Sequence, residues 1–99
     1  MTPLVIDTDK LSKMCGKYDI SFLGIFGSYA RGDQTAKSDL DLLAKFSKRK
    51  SLLDLVKTER ELSTALNVKV DLLTEKSLSP YLRDKVMGSL KVVYDREKR

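Results

Sequence analysis

Residues 20–26 read Ile-Ser-Phe-Leu-Gly-Ile-Phe, a nearly continuous apolar run bounded by polar residues. A run this short suits a strand covered on both faces, and such a strand needs layers of structure above and below it. In a chain of 99 residues there is room for one core only. The run therefore sets the fold class: an α+β domain, an α/β sandwich, with a small mixed sheet of about four strands flanked by helices.

The neighbouring periodicities supply the rest of the sheet and its cover. Asp7 or Thr8 can cap a first helix in which Leu11, Met14, Cys15 and Tyr18 share one face. After a small, polar stretch from Gly27 to Ser38, a loop or short helix, alternation returns over residues 39–46. There Leu40, Leu42 and Ala44 point one way, and Asp39, Asp41 and Leu43 the other. Ser51 with Asp54 forms a capping box ahead of a second long helix, whose inner face is expected at Leu52, Leu55, Val56, Leu62 and Leu66, and which stops at Asn67. Val68, Val70 and Leu72 alternate with Lys69, Asp71 and Leu73 in a third strand. Ser79-Pro80 starts a last helix with Leu82 and Val86 inside and Gly88 at its end, and Leu90, Val92 and Tyr94 form a closing strand. Residues 1–94 are expected to be one domain, followed by a charged, frayed tail at 95–99. Cys15, Tyr18, Tyr81 and Tyr94 are expected in the core, and Lys48-Arg49-Lys50 on a solvated loop.

Absent residues exclude whole classes of chemistry. With no histidine, the chain cannot build a Ser-His-Asp or Cys-His relay, a histidine base or a histidine-containing zinc site. One cysteine cannot form an intrachain disulfide or a multi-thiolate metal site, which fits a reducing compartment. No segment approaches the roughly eighteen apolar residues of a membrane helix, and no signal peptide opens the chain, so a cytoplasmic protein is expected. The net charge of +5 draws acidic partners, nucleotides among them.

Within these limits one constellation carries chemistry. Gly27-Ser28 follows the buried strand directly, and backbone N–H groups beside a hydroxyl, with no Cβ at Gly27 to block approach, form a phosphate cradle. Asp39 and Asp41, two residues apart on one strand, project their carboxylates side by side, as hard oxygen ligands that suit Mg²⁺ held jointly with substrate phosphates. Asp71 completes a trio if its strand pairs beside theirs, and three converging like charges call for a compensating cation. In such a site two Mg²⁺ ions can activate an attacking hydroxyl and neutralise the departing pyrophosphate, and Asp71 is the proton acceptor to expect in a chain without histidine. Taken singly, Gly27-Ser28 reads as turn punctuation, Asp39 and Asp41 as a solvated strand face, and Asp71 as an exposed strand residue. In order and at this spacing they read as a nucleotidyl-transfer site.

Gly27-Ser28-Tyr29-Ala30-Arg31-Gly32 followed by Ser38-Asp39-Leu40-Asp41-Leu42 resembles the signature of the DNA polymerase β-like nucleotidyltransferase superfamily. With Asp71 in a Val-Asp-Leu strand, essentially the whole chain is similar to its minimal nucleotidyltransferase (MNT) branch. The resemblance implies an ATP- and Mg²⁺-dependent enzyme that transfers a nucleoside monophosphate to a hydroxyl. Members this short resemble the antitoxins of HEPN/MNT pairs, in which the antitoxin modifies a tyrosine of the HEPN ribonuclease with AMP. By this resemblance Gly27 and Ser28 hold the triphosphate, Asp39 and Asp41 the metals, and Asp71 a metal or the proton of the incoming hydroxyl. Arg31 matches the motif arginine, with phosphate contact and a loop-fixing ion pair both open.

Size points the same way, since no residues remain to build a domain for a bulky acceptor. A HEPN toxin presenting its own tyrosine meets that need, with Lys45, Lys48, Arg49 and Lys50 assisting its docking and direct nucleic-acid binding not expected. Two other readings stay open: a non-catalytic antitoxin that occludes the toxin, and a transferase acting on a small molecule such as an aminoglycoside.

Overall fold

The computed structural model describes residues 6–96. Its elements run α1 (Thr8–Lys17), β1 (Ile20–Phe26), α2 (Ser28–Arg31), β2 (Leu40–Phe46), α3 (Leu52–Leu66), β3 (Val70–Thr74), a 3₁₀ turn (Glu75–Ser77), α4 (Pro80–Ser89) and β4 (Lys91–Asp95). The sheet order is β3-β2-β1-β4, so the apolar run that sets the fold class is an interior strand. β1 pairs antiparallel with β2 and β4, whereas β2 and β3 are parallel and joined by the α3 crossover. The sheet is therefore mixed, and the expected α+β sandwich is the observed one.

The helices begin where short polar side chains satisfy their free N–H groups. Asp7 accepts from the Lys10 amide at 3.0 Å, Ser51 and Asp54 form the reciprocal capping box, and Ser79 accepts from the Leu82 amide ahead of Pro80. Asn67 closes α3 in the left-handed conformation with φ 55°.

Strand alternation divides the core between the two sheet faces. Leu23, Ile25, Leu40, Leu42, Ala44 and Val70 join Leu11 and Cys15 of α1 and Leu62 of α3 in the larger cluster. Burial raises the Cys15 thiol to about 11, so it is a packing residue. Across the sheet Phe26 and Leu43 pack against Val86 of α4, with Leu73, Leu78 and Leu90 beside them. Asp41 of β2 shares this second face, the one under α4.

Several expectations are corrected here. Tyr81 is 75% exposed rather than core, Leu52 is 76% exposed rather than on the inner face of α3, with Val56 exposed as well, and Leu82, expected inside the last helix, is exposed, leaving Val86 as its buried residue. Burial in α3 falls on its later turns, at Thr58 and Leu62. Gly88 does not end α4, which continues through Ser89. Leu90 lies outside β4, and its side chain fills the space over Gly24, where an added Cβ would stand 2.6 Å from Leu90 Cδ1. β3 starts at Val70, two residues later than the alternation suggests, and β4 takes in Asp95, which the sequence assigned to the tail. Residues 97–99 of that tail lie outside the described residues.

Candidate active site

At the end of β1 the chain turns sharply. Gly27 has φ 75° and ψ −149°, a conformation that L side chains rarely adopt. A Cβ there would also collide with the Asp41 carboxylate, so glycine is required twice over. The Gly27 carbonyl accepts from the Ala30 and Arg31 amides at 3.1 Å, and the Ser28 carbonyl from Gly32 and Asp33 at 2.9 and 3.1 Å. These bonds wind α2 into a single turn, anchored by buried Ala30 and released by left-handed Gly32. Ser28 thus opens a single helical turn, at the end where backbone N–H groups have no partner within the helix.

Sheet register brings the carboxylates to the same place. Phe26 is opposite Asp41 across β1 and β2, and Asp41 is opposite Asp71 across β2 and β3. In a parallel ladder, opposed residues point to the same face, so Asp41 and Asp71 share the α4 face next to Gly27. Asp39 precedes β2 by one residue and is two positions from Asp41, on the same side. Burial pushes the Asp41 carboxyl above its ordinary range, and the neighbouring charges of Asp71 and then Asp39 push it further, with Arg31 acting in the opposite direction. Asp39 has a partial partner in Lys69 at 3.8 Å. Among the described residues no three acidic, histidine or cysteine side chains close into a ready cation cage.

Arg31 is exposed and paired with Asp33 at 3.3 Å, which matches the loop-fixing alternative, while its charge also reaches Asp41. Lys45, Lys48, Arg49 and Lys50 lie at the other end of β2, away from the carboxylates. One contact had no sequence signal: the Gly27 amide donates to Ser89 Oγ of α4 at 3.3 Å, linking the turn to a helix sixty-two residues on. Local spacing reports nothing about a pair so distant in the chain.

This fold, with a Gly-Ser turn beside a three-aspartate strand pair, is that of a nucleotidyltransferase. The chain belongs to the polymerase β nucleotidyltransferase family, whose profile matches residues 9–99. It is 45% identical over 72 residues to a Methanocaldococcus jannaschii protein assigned as a protein adenylyltransferase, covering 73% of this chain and 77% of that one. A solved structure described as a minimal nucleotidyltransferase superposes with a TM-score of 0.74 at 33% identity, covering 85% of this chain and 86% of the other. The fold also matches, at TM-score 0.71 and 21% identity, a chain of a Shewanella oneidensis complex of a tri-AMPylated HEPN toxin with its MNT antitoxin, covering 89% of this chain and 69% of that one. Among the described residues no helix is long and apolar enough to cross a membrane.

Proposed function

We propose that this nucleotidyltransferase is a Mg²⁺-dependent protein adenylyltransferase that moves AMP from ATP to a tyrosine of a HEPN ribonuclease toxin, and so acts as its cytoplasmic antitoxin. The observation that carries the reading is the Asp41–Asp71 pairing beside Gly27: like charges set together on a half-covered sheet face, under a turn that only glycine permits. Such a donor set fits Mg²⁺, since hard carboxylate oxygens are its preferred protein ligands, and the burial and then the neighbouring charges of Asp71 and Asp39 that raise Asp41 are what a cation offsets. When bound, Mg²⁺ held by Asp39, Asp41 and Asp71 supplies charge neutralisation along the triphosphate. Ser28 and the backbone amides at the start of the α2 turn bind and orient the phosphates. The tyrosine oxygen attacks the α-phosphorus, the bond between the α-phosphorus and its bridging oxygen to the β-phosphate breaks, and pyrophosphate leaves. Asp71, exposed at the edge of the cluster, takes the phenolic proton.

Label transfer tests the reading directly. ATP labelled at the α-phosphate is incubated with Mg²⁺ and the protein, in source-cell lysate and with its co-purified HEPN toxin. An α-labelled toxin band, absent with γ-labelled ATP and absent with Asp39→Asn, Asp41→Asn, is the expected result. Retention of labelling by that variant refutes the carboxylate roles. Toxin neutralisation without any label favours the occluding antitoxin, and labelling of an aminoglycoside alone favours the small-molecule reading.

A further inference from the structure

A cleft of about 580 Å³ opens at the end of β2 opposite the carboxylates, between the β2–α3 loop, the first turn of α3 and the residues that follow β3. Lys45, Lys48, Arg49, Lys50 and Lys76 line it, against a single lining carboxylate, Glu75. Glu75 is 3.5 Å from Lys45, and Asp19, from outside the lining, takes Lys50 at 2.9 Å and Lys48 at 3.9 Å. Among the described residues Arg49 and Lys76 have no ion-pair partner. Positive charge therefore exceeds negative in a concave site, where low-dielectric walls concentrate the field.

Three further features say what could fill it. The cleft lies at the carboxyl ends of the parallel pair β2 and β3, the ends away from Asp41 and Asp71, where the strands run out into loops. Its volume is that of a small-molecule pocket rather than of a groove that follows a polymer. Ser47 and Thr74 add hydroxyls, while Phe46 and Leu55 add apolar surface. We propose that this cleft is a second ligand site, for a compact chain of phosphates free or attached to a nucleoside, separate from the Asp39–Asp41–Asp71 cluster. Phe46 is five residue steps along the strand from Asp41, about 17 Å at strand rise, so one bound nucleotide does not occupy both ends.

Titration calorimetry on the full chain at low salt, with EDTA to remove divalent metal, uses inorganic tripolyphosphate and ATP as probes. Saturable binding is expected for the wild type and for Asp39→Asn, Asp41→Asn alike. In Arg49→Ala, Lys76→Ala the affinity is expected to fall at least about tenfold, since two opposite charges are withdrawn from the ligand. Arg49→Lys, Lys76→Arg, which keeps both charges, is expected to restore binding and so separates a lost site from a disturbed loop. Tighter binding of ATP than of tripolyphosphate identifies the nucleotide as the ligand, and equal binding identifies the phosphate chain. No saturable binding, binding indifferent to Arg49 and Lys76, binding lost in the aspartate variant, or displacement of both probes by a single-stranded RNA overturns the proposal. Label transfer is read separately, so failure at one end of β2 is distinguishable from failure at the other.

Discussion

The two ends of β2 treat carboxylates in opposite ways. At its start Asp41 lies among Asp39 and Asp71, and burial together with that crowding raises its carboxyl. At its finish Asp19 accepts from Lys50, with Lys48 beyond, and these cations lower its carboxyl. Both positions were open to either arrangement, for lysines abound in this chain and Lys69 already reaches Asp39. A surface selected for stability alone pairs its charges, as Lys48 and Lys50 do with Asp19. The acidic end leaves like charges together, which is how a site looks when the compensating charge arrives with substrate.

The largest expected effect comes from removing that unpaired charge. Asp41→Asn is expected to lower α-label transfer by about a hundredfold to a thousandfold, a loss typical of deleting one transition-state contact. The same variant is expected to melt at a higher temperature than wild type near neutral pH, because it deletes a charge that burial and two neighbours disfavour. A variant that loses both activity and stability contradicts the contrast between the two ends. Next come the two glycines of the α2 turn. Gly27→Ala combines positive φ with a collision against Asp41 and is expected to cost about 1 to 3 kcal/mol in denaturant unfolding, together with label transfer. Gly32→Ala meets no atom within 4 Å and bears only the left-handed strain at φ 81°, about 1 kcal/mol. Equal costs at the two positions would show that Asp41 yields, and that the turn does not fix it.

How far the sequence reveals this contrast depends on the distance over which each feature is determined. β1, the alternation of β2, the caps at Asp7, Ser51 and Ser79, and the placement of Asp71 opposite the valines are all local patterns, and all are present. The sharing of one face by Asp41 and Asp71 needs only that β2 and β3 pair in parallel, which the intervening α3 makes the natural connection. Tyr81, Leu82, Leu52 and Val56 carry the right spacing for burial yet are exposed, because burial depends on packing between elements, which local spacing does not report. Ser89 is invisible for a different reason, since nothing near it in the chain reports that its hydroxyl meets the Gly27 amide.

The smallest expected effects are in pH dependence, and they separate the two ends by sign. Asp19 has its folded carboxyl lowered, so its contribution is present above the ordinary carboxylate value of about 3.9 and is lost as pH falls below it. Lys50→Met is expected to melt slightly below wild type near neutral pH, with the gap closing below about pH 4 and shrinking in high salt. Asp41, with its folded carboxyl raised, gives the mirror image: Asp41→Asn is expected to lead wild type at neutral pH and to lose that lead as acid protonates the wild-type carboxyl. Both gaps close in acid, from opposite sides of zero. A Lys50→Met gap that persists unchanged at pH 3 would instead assign Lys50 to packing by its alkyl stem, since its side chain is 20% exposed, and the basic end would then owe its order to burial rather than to charge.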